Sequence, residues 1–231
     1  MVWLQVAQEL RLFLPVRCRS SGVVETRYDG TASLGHLVQA AGVPLTEAGG
    51  LCVDGRQLTP GVRPGPQDVV EVLPRARPQP LDGPPALLLD VHLGALARRL
   101  RLLGVDTAYR NDADDAELVA QAGTQDRLLL TQDRGLLMRR ALRRAAYVRG
   151  EHPDTQLADV LGRFRLPLSP YALCPVCGAA LRDVAKADVL DRLEPGTRRT
   201  QHAFRECGAC GRVSWKGAHA GRIDALVSRW T

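Results

Sequence analysis

Two Cys-x-x-Cys pairs constrain this 231-residue chain more than any other feature: Cys174-Pro-Val-Cys177-Gly178 and Cys207-Gly-Ala-Cys210-Gly211. Each pair has the spacing of a zinc knuckle, in which both thiolates of one tight turn face the same ion. The glycine after each second cysteine permits a positive φ, which turns backbone N–H groups toward sulfur. Four thiolates with no open position make a closed, structural zinc site, with Cys174, Cys177, Cys207 and Cys210 as its ligands. Disulfides or redox pairs are the competing readings of the same residues. The gap between the knuckles, residues 178–206, is longer than an ordinary ribbon turn and predicts an inserted segment. His202 and His219 lie nearby but are not needed for four-coordination. Cys18 and Cys52 stand alone.

The rest of the chain divides around one linker. Residues 76–85 are proline-rich and read as a semi-rigid connection. Before it, residues 1–75 show strand, strand, helix, strand, strand, the order of a ubiquitin-like β-grasp. Ser33 is placed to cap the helix and Gly42 to stop it. After it, residues 86–168 alternate strand and helix, which predicts a parallel sheet with helices on both faces. One of those helices is expected over Gly135–Ala145. Residues 169–231 hold the cysteine pairs and an expected terminal helix over 221–230. The fold class is α/β: a β-grasp, a parallel-sheet domain and a zinc ribbon. No run of 18 apolar residues spans a membrane, and the N-terminus lacks a signal peptide's pattern, so a cytoplasmic protein is expected.

Parallel sheets carry their sites at the carboxyl ends of strands, and acids collect there. Asp90 follows Leu87–Leu89; Asp112, Asp114 and Asp115 follow the second strand; Asp133 follows Leu128-Leu-Leu-Thr131-Gln132. Carboxylates gathered in a cleft repel one another unless a hard cation sits among them, and Mg²⁺ or Mn²⁺ prefers such oxygen ligands. Helix capping is the alternative for Asp114, Asp115 and Asp133. His92 could touch a phosphate or be structural. Bases accompany the acids. Arg98, Arg99 and Arg101 follow Asp90, and the pairs Arg139/Arg143 and Arg140/Arg144 would share one face of the expected 135–145 helix. The formal net charge is +6, with 10 bases and 6 acids falling in residues 171–231; all but Lys186 and Lys216 of the 31 bases are arginine. This permits a nucleic-acid partner, and a GC-rich coding bias explains the arginine as readily.

Three stretches then carry a resemblance. They are Leu-Leu-Asp90-Val-His-Leu-Gly94-Ala-Leu-Ala-Arg98-Arg-Leu-Arg101-Leu-Leu-Gly104-Val-Asp106, Asp115-Ala-Glu117-Leu, and Leu-Leu-Thr131-Gln-Asp133-Arg134-Gly-Leu-Leu. With Lys186-Ala-Asp188-Val-Leu-Asp191-Arg192-Leu and Trp215-Lys216-Gly217-Ala-His219, residues 87–223 resemble the Mut-seven C-terminal RNase domain family, a PIN-like domain fused to a zinc ribbon. The front domain resembles the ubiquitin-like partner of that family, related to the ThiS and MoaD sulfur carriers. The resemblance implies a metal-dependent endoribonuclease whose Mg²⁺ or Mn²⁺ is held by Asp90, Asp115 and Asp133. RNA is then the partner, with Arg98, Arg101, Arg134 and Lys216 as phosphate contacts. An RNA-binding protein without turnover is the alternative. No clear fourth acid follows Asp133, where the chain is basic. The front domain is expected to be an interaction module for a protein or RNA partner. It lacks a carrier's free Gly-Gly end, because its last strand runs on into the linker.

Overall fold

The computed structural model describes residues 1–217 together with Gly221, Asp224, Ala225 and Ser228. The terminal helix expected over 221–230 and His219 therefore lie largely or wholly outside the described residues; the four described positions are helical. Two packing units divide the chain, residues 1–79 with 131–147, and residues 80–130 with 148–231.

In the first unit, β1 (Val2–Val6) pairs antiparallel with β2 (Val23–Thr26). The helix α1 (Leu34–Ala40) starts at Ser33, whose hydroxyl accepts from the His36 N–H at 3.3 Å. Next come β3 (Ala48–Val53), β4 (Arg56–Leu58) and β5 (Val69–Pro74). The sheet order is β2-β1-β5-β3-β4, with β1 parallel to β5 and the other pairs antiparallel. This is a β-grasp. Alternation along β1 and β5 sends Val2, Leu4, Val6, Val70 and Val72 into one core with Leu34, Leu37 and Val38 of α1. Two features escaped the sequence reading. Strand β3 begins at Ala48, hidden by the low strand propensity of Gly49-Gly50. Residues Gln8–Phe13 form a 3-10 turn that buries Leu10 and Phe13.

The second unit begins with β6 (Leu87–Leu89), buried throughout, then α2 (Gly94–Leu102), β7 (Thr107–Tyr109), α3 (Asp115–Thr124) and β8 (Leu128–Thr131). Strand β6 lies between β7 and β8, parallel to both. An all-leucine strand buried on both faces is the signature of a parallel sheet covered by helices. Helix α2 turns Leu96, Ala97 and Leu100 inward.

The segment 131–147, which packs with residues 1–79, corrects one expectation. Helix α4 spans only Arg134–Leu137, and β9 (Ala145–Tyr147) follows after turns. The Arg139 N–H reaches the Leu136 carbonyl and the Leu142 N–H the Arg139 carbonyl, both three residues back. No helix therefore spans 135–145, and Arg139, Arg140, Arg143 and Arg144 form no helical stripe. The physical reason is in the spacing itself: like charges at i,i+4 repel, so these pairs disfavour the helix they seemed to decorate. Only Leu136, Leu137 and Leu142 supply buried apolar anchorage across the turns.

Helix α5 (Pro153–Phe164) packs on α2, with Arg99 and Asp154 paired at 3.0 Å. The C-terminal part is a ribbon of β10 (Leu181–Val184), β11 (Phe204–Cys207) and β12 (Val213–Ser214), antiparallel in that order. The predicted insertion carries α6 (Lys186–Val189) and α7 (Pro195–Thr200). The Lys186 ammonium ties them together through the carbonyls of Arg198 and Gln201, at 2.5 and 2.9 Å. Among the described residues no helix is long and apolar enough to cross a membrane.

Leu88 is 1 % exposed at the centre of the parallel sheet. Truncating it in Leu88→Ala should cost about 2–5 kcal/mol of unfolding free energy, measured by urea denaturation with a probe in residues 80–130.

Candidate functional site

The ribbon holds the most completely assembled constellation. The ligand atoms of Cys174, Cys177, Cys207 and Cys210 all lie within 4.8 Å of one another, and among the described residues they form the metal-capable group of three or more His, Cys, Asp or Glu. All four are free thiols. The Cys174–Cys210 and Cys177–Cys207 sulfurs are 3.8 and 3.4 Å apart. A tetrahedral ion with bonds of about 2.3 Å sets its sulfurs about 3.8 Å apart, so the cluster has the size of a four-coordinate site. Gly178 and Gly211 have φ of +82° and +68°, as the knuckle turns require. Their N–H groups return to the Cys174 and Cys207 carbonyls at 2.8 and 2.9 Å.

The four thiols differ in how readily they ionise. Burial pushes the Cys207 thiol up, but the N–H groups of Cys210 and Ala209 and the neighbouring thiols outweigh it and bring it down to about 6. At Cys177 the Ala179 N–H pulls down, yet burial and the other three thiols push the group up to about 12. One thiolate resists the next, and a cation among them would favour all four ionised together.

The acids occupy three distinct settings. Asp90 sits just past β6, 5 % exposed, and its N–H donates to the Leu130 carbonyl at 3.1 Å. Of the acids after β7, Asp112 pairs with Arg110 at 3.1 Å, and that hydrogen bond holds its carboxyl below the usual range. Asp114 caps α3 in a reciprocal box: its carboxylate accepts from the Glu117 N–H at 2.8 Å, and Glu117 accepts from the Asp114 N–H at 3.1 Å. Asp115 stands at the first position of α3. Asp133 caps α4, with Oδ1 accepting from the N–H groups of Gly135 and Leu136 at 2.6 and 3.2 Å. Asp133 belongs to the unit of residues 1–79 and 131–147, Asp90 and Asp115 to the other.

The expected phosphate contacts separate clearly. Arg98 is exposed on α2. Arg101 is not available: it is 3 % exposed and donates to the Thr107 and Val176 carbonyls at 2.9 and 2.6 Å. It is an internal tie between α/β domain and ribbon, and its place on the apolar face of α2 was the sequence signal for that. Arg134 lies over the Phe13 ring, 5.7 Å from its centroid. His92 is exposed.

Lys216 stands 4.7 Å over the Tyr171 ring and 3.8 Å from Asp224. It lines a cavity of about 580 Å³ with Tyr171, Phe204, Arg205, Trp215 and Leu173. Burial, then the bond to Asp224, pushes the Tyr171 hydroxyl up to about 12, so it remains a donor. Trp215 is 41 % exposed and meets Phe204 edge-on at 6.2 Å. Sequence reading had named Lys216 here and missed the rings. The available signal was an aromatic followed by a base, Phe204-Arg205 and Trp215-Lys216, in a chain with only ten aromatics.

No curated protein and no solved structure matches the chain. Two protein families do: residues 1–80 match the Mut7-C ubiquitin family, and residues 85–227 match the Mut7-C RNAse domain family. The second match covers more than half of the sequence, together with the parallel sheet and the four-cysteine ribbon just described, and the chain belongs to the Mut7-C RNAse domain family.

Proposed function

We propose that this protein is a Mg²⁺- or Mn²⁺-dependent endoribonuclease acting on single-stranded RNA. The observation that carries the reading is the Asp90 carboxylate, 5 % exposed at the carboxyl end of β6 inside the matched RNase region. A carboxylate is costly to bury, and strand ends of parallel sheets are where such groups serve chemistry. Asp90, Asp115 and Asp133 would hold the divalent ion, which when bound supplies an activated water and charge neutralisation for in-line displacement at phosphorus. The chain's own contributions are positional. The caps at Asp114 and Asp133 orient the turns that bear the acids. Arg98 and Arg134 offer fixed positive charge to a phosphate, which locates RNA without reading its bases.

The ribbon supports the RNA half of the proposal. Trp215 and the half-buried Tyr171 offer ring surface beside Lys216 and Arg205, with the buried Phe204 behind Trp215, a combination suited to unpaired bases and their phosphates. The same cavity is what favours the second reading, an RNA-binding protein without turnover. Four soft sulfur donors fit zinc, held as a structural ion by Cys174, Cys177, Cys207 and Cys210.

Cleavage of labelled single-stranded RNA with Mn²⁺ separates the two readings. The double variant Asp90→Asn/Asp133→Asn should cut at least 100-fold more slowly, and Asp114→Ala, which removes only a cap worth about 1 kcal/mol, should retain most activity. Equal cutting by the double variant and wild type would refute the assignment of these acids. For the cavity, Trp215→Ala should weaken RNA binding by about 1–3 kcal/mol, the worth of one stacked base, in a filter-binding titration at fixed salt. Elemental analysis should return one zinc per chain. Cys174→Ser should lose it and unfold the ribbon while residues 1–75 remain folded, because ribbon folding depends on the metal.

A further inference from the structure

The segment 131–147 lies within the matched RNase region, yet it packs with the ubiquitin-like domain. Phe13 of that domain meets both ends of the segment, and Glu47 holds its far end. At the far end, the Glu47 carboxylate accepts the backbone N–H of Tyr147 at 2.8 Å. Glu47 is 3 % exposed, and a carboxylate that deep is tolerated only where hydrogen bonds replace water. Its backbone is fixed in turn: the Glu47 carbonyl accepts from the Arg75 N–H at 3.2 Å, and the Arg75 guanidinium reaches the Thr46 carbonyl at 2.7 Å. Phe13 touches both ends. Its ring meets Tyr147 edge-on at 5.2 Å and lies 5.7 Å under the Arg134 guanidinium. Tyr147 accordingly packs against the β-grasp core.

The near grip falls on the turn that presents Asp133 and Arg134, since Arg134 itself lies over Phe13. Helix α4 is a single turn and residues 138–144 are irregular, so the segment has little rigidity of its own. The segment's first residue closes β8 and its last three form β9, so the residues between those strands are where backbone groups open most readily and where an added grip counts.

We propose that the ubiquitin-like domain is a built-in positioning element of the RNase domain, in which Phe13 and Glu47 are positioning residues that hold the Asp133–Arg134 turn. This rests on the nuclease reading only for its catalytic consequence; the grip itself stands on the contacts above. It gives the front domain a role within its own chain, distinct from sulfur carriage and from recruitment of a separate protein.

The test uses the full chain. Glu47→Ala removes the acceptor, Glu47→Gln keeps a side-chain oxygen that accepts the Tyr147 N–H, and Phe13→Leu keeps apolar bulk while removing the ring. Amide hydrogen exchange is read at residues 131–147, with Leu128–Leu130 as internal reference, alongside kcat and KM on single-stranded RNA with Mn²⁺. The expected result is at least tenfold faster exchange at Tyr147 and residues 133–137 in Glu47→Ala and Phe13→Leu. kcat should fall about tenfold at unchanged KM, and Glu47→Gln should be close to wild type in both. Unchanged exchange in the segment overturns the grip. Faster exchange with unchanged kcat overturns the positioning role while leaving the nuclease reading intact. If wild type does not cleave at all, the nuclease reading has failed separately. The grip is then upheld by exchange that rises in Glu47→Ala and recovers in Glu47→Gln, and overturned by its absence.

Discussion

The C-terminal third of this chain depends on four sulfurs brought within 4.8 Å of one another. Among the described residues its own hydrophobic core is Val189, Leu193 and Phe204, with Val184 and Val213 against them. So few buried side chains cannot offset the entropy of ordering about sixty residues, at roughly 1–2 kcal/mol per residue. Small units of this kind need a cross-link, and on the proposed reading a metal held by the four thiols supplies it. The insertion between the knuckles follows the same logic. Beyond Val189 of α6 and Leu193, which enter that small core, the insertion is held by polar ties: Lys186 to two carbonyls, and Arg192 to Glu206 and to the Gly211 carbonyl.

Arg101 carries that constraint into the RNase domain. It replaces the water its guanidinium loses with the Thr107 carbonyl at the start of β7 and the Val176 carbonyl inside the first knuckle. Burial pulls the guanidinium below its usual range, while the nearby Cys177 and Cys174 sulfurs favour its charge. The ribbon is thus coupled to the sheet by a buried cation whose partners are backbone atoms. Two further backbone bonds, from Ser169 to the Leu103 carbonyl and from Tyr171 to the Leu102 carbonyl, run beside it at 2.9 Å. The same connection fixes Tyr171, whose ring forms part of the aromatic cavity.

Much of this was legible before any coordinates. The knuckle spacing named the four cysteines that cluster and their positive-φ glycines, because a knuckle turn is built locally and leaves a fixed pattern. Strands β1, β5, β6 and β8 were legible because burial on one or both faces writes a period into the side chains. The failures have a common cause. Arg101 and the 139–144 arginines look alike in sequence, yet one is buried against carbonyls and the others decorate turns. Charge alone says nothing about which carbonyls lie across the fold. The grouping of 131–147 with the β-grasp was equally invisible, since it turns on single contacts, Glu47 with Tyr147 and Phe13 with Arg134, between residues about one hundred positions apart.

Capping and metal binding were set against each other at Asp133, and the geometry shows why they need not compete. A carboxylate offers about four lone-pair sites, and the cap engages Oδ1 alone through the N–H groups of Gly135 and Leu136. The Thr131 hydroxyl accepts the Asp133 N–H at 2.8 Å and fixes the backbone behind it. A side chain held this way has little rotamer freedom left to lose, and an acid that is to act on a substrate gains from having lost it in advance. Asp114 is different in kind. Its cap is closed by Glu117, and Arg110 stands 3.5 Å from that glutamate, so the acid, its partner and a cation already form a locally neutralised set. On the proposed reading, then, the acids divide by how much of their demand is met within their own turn. Asp112 and Asp114 are satisfied there, while Asp133 is oriented by its turn with carboxylate capacity left over.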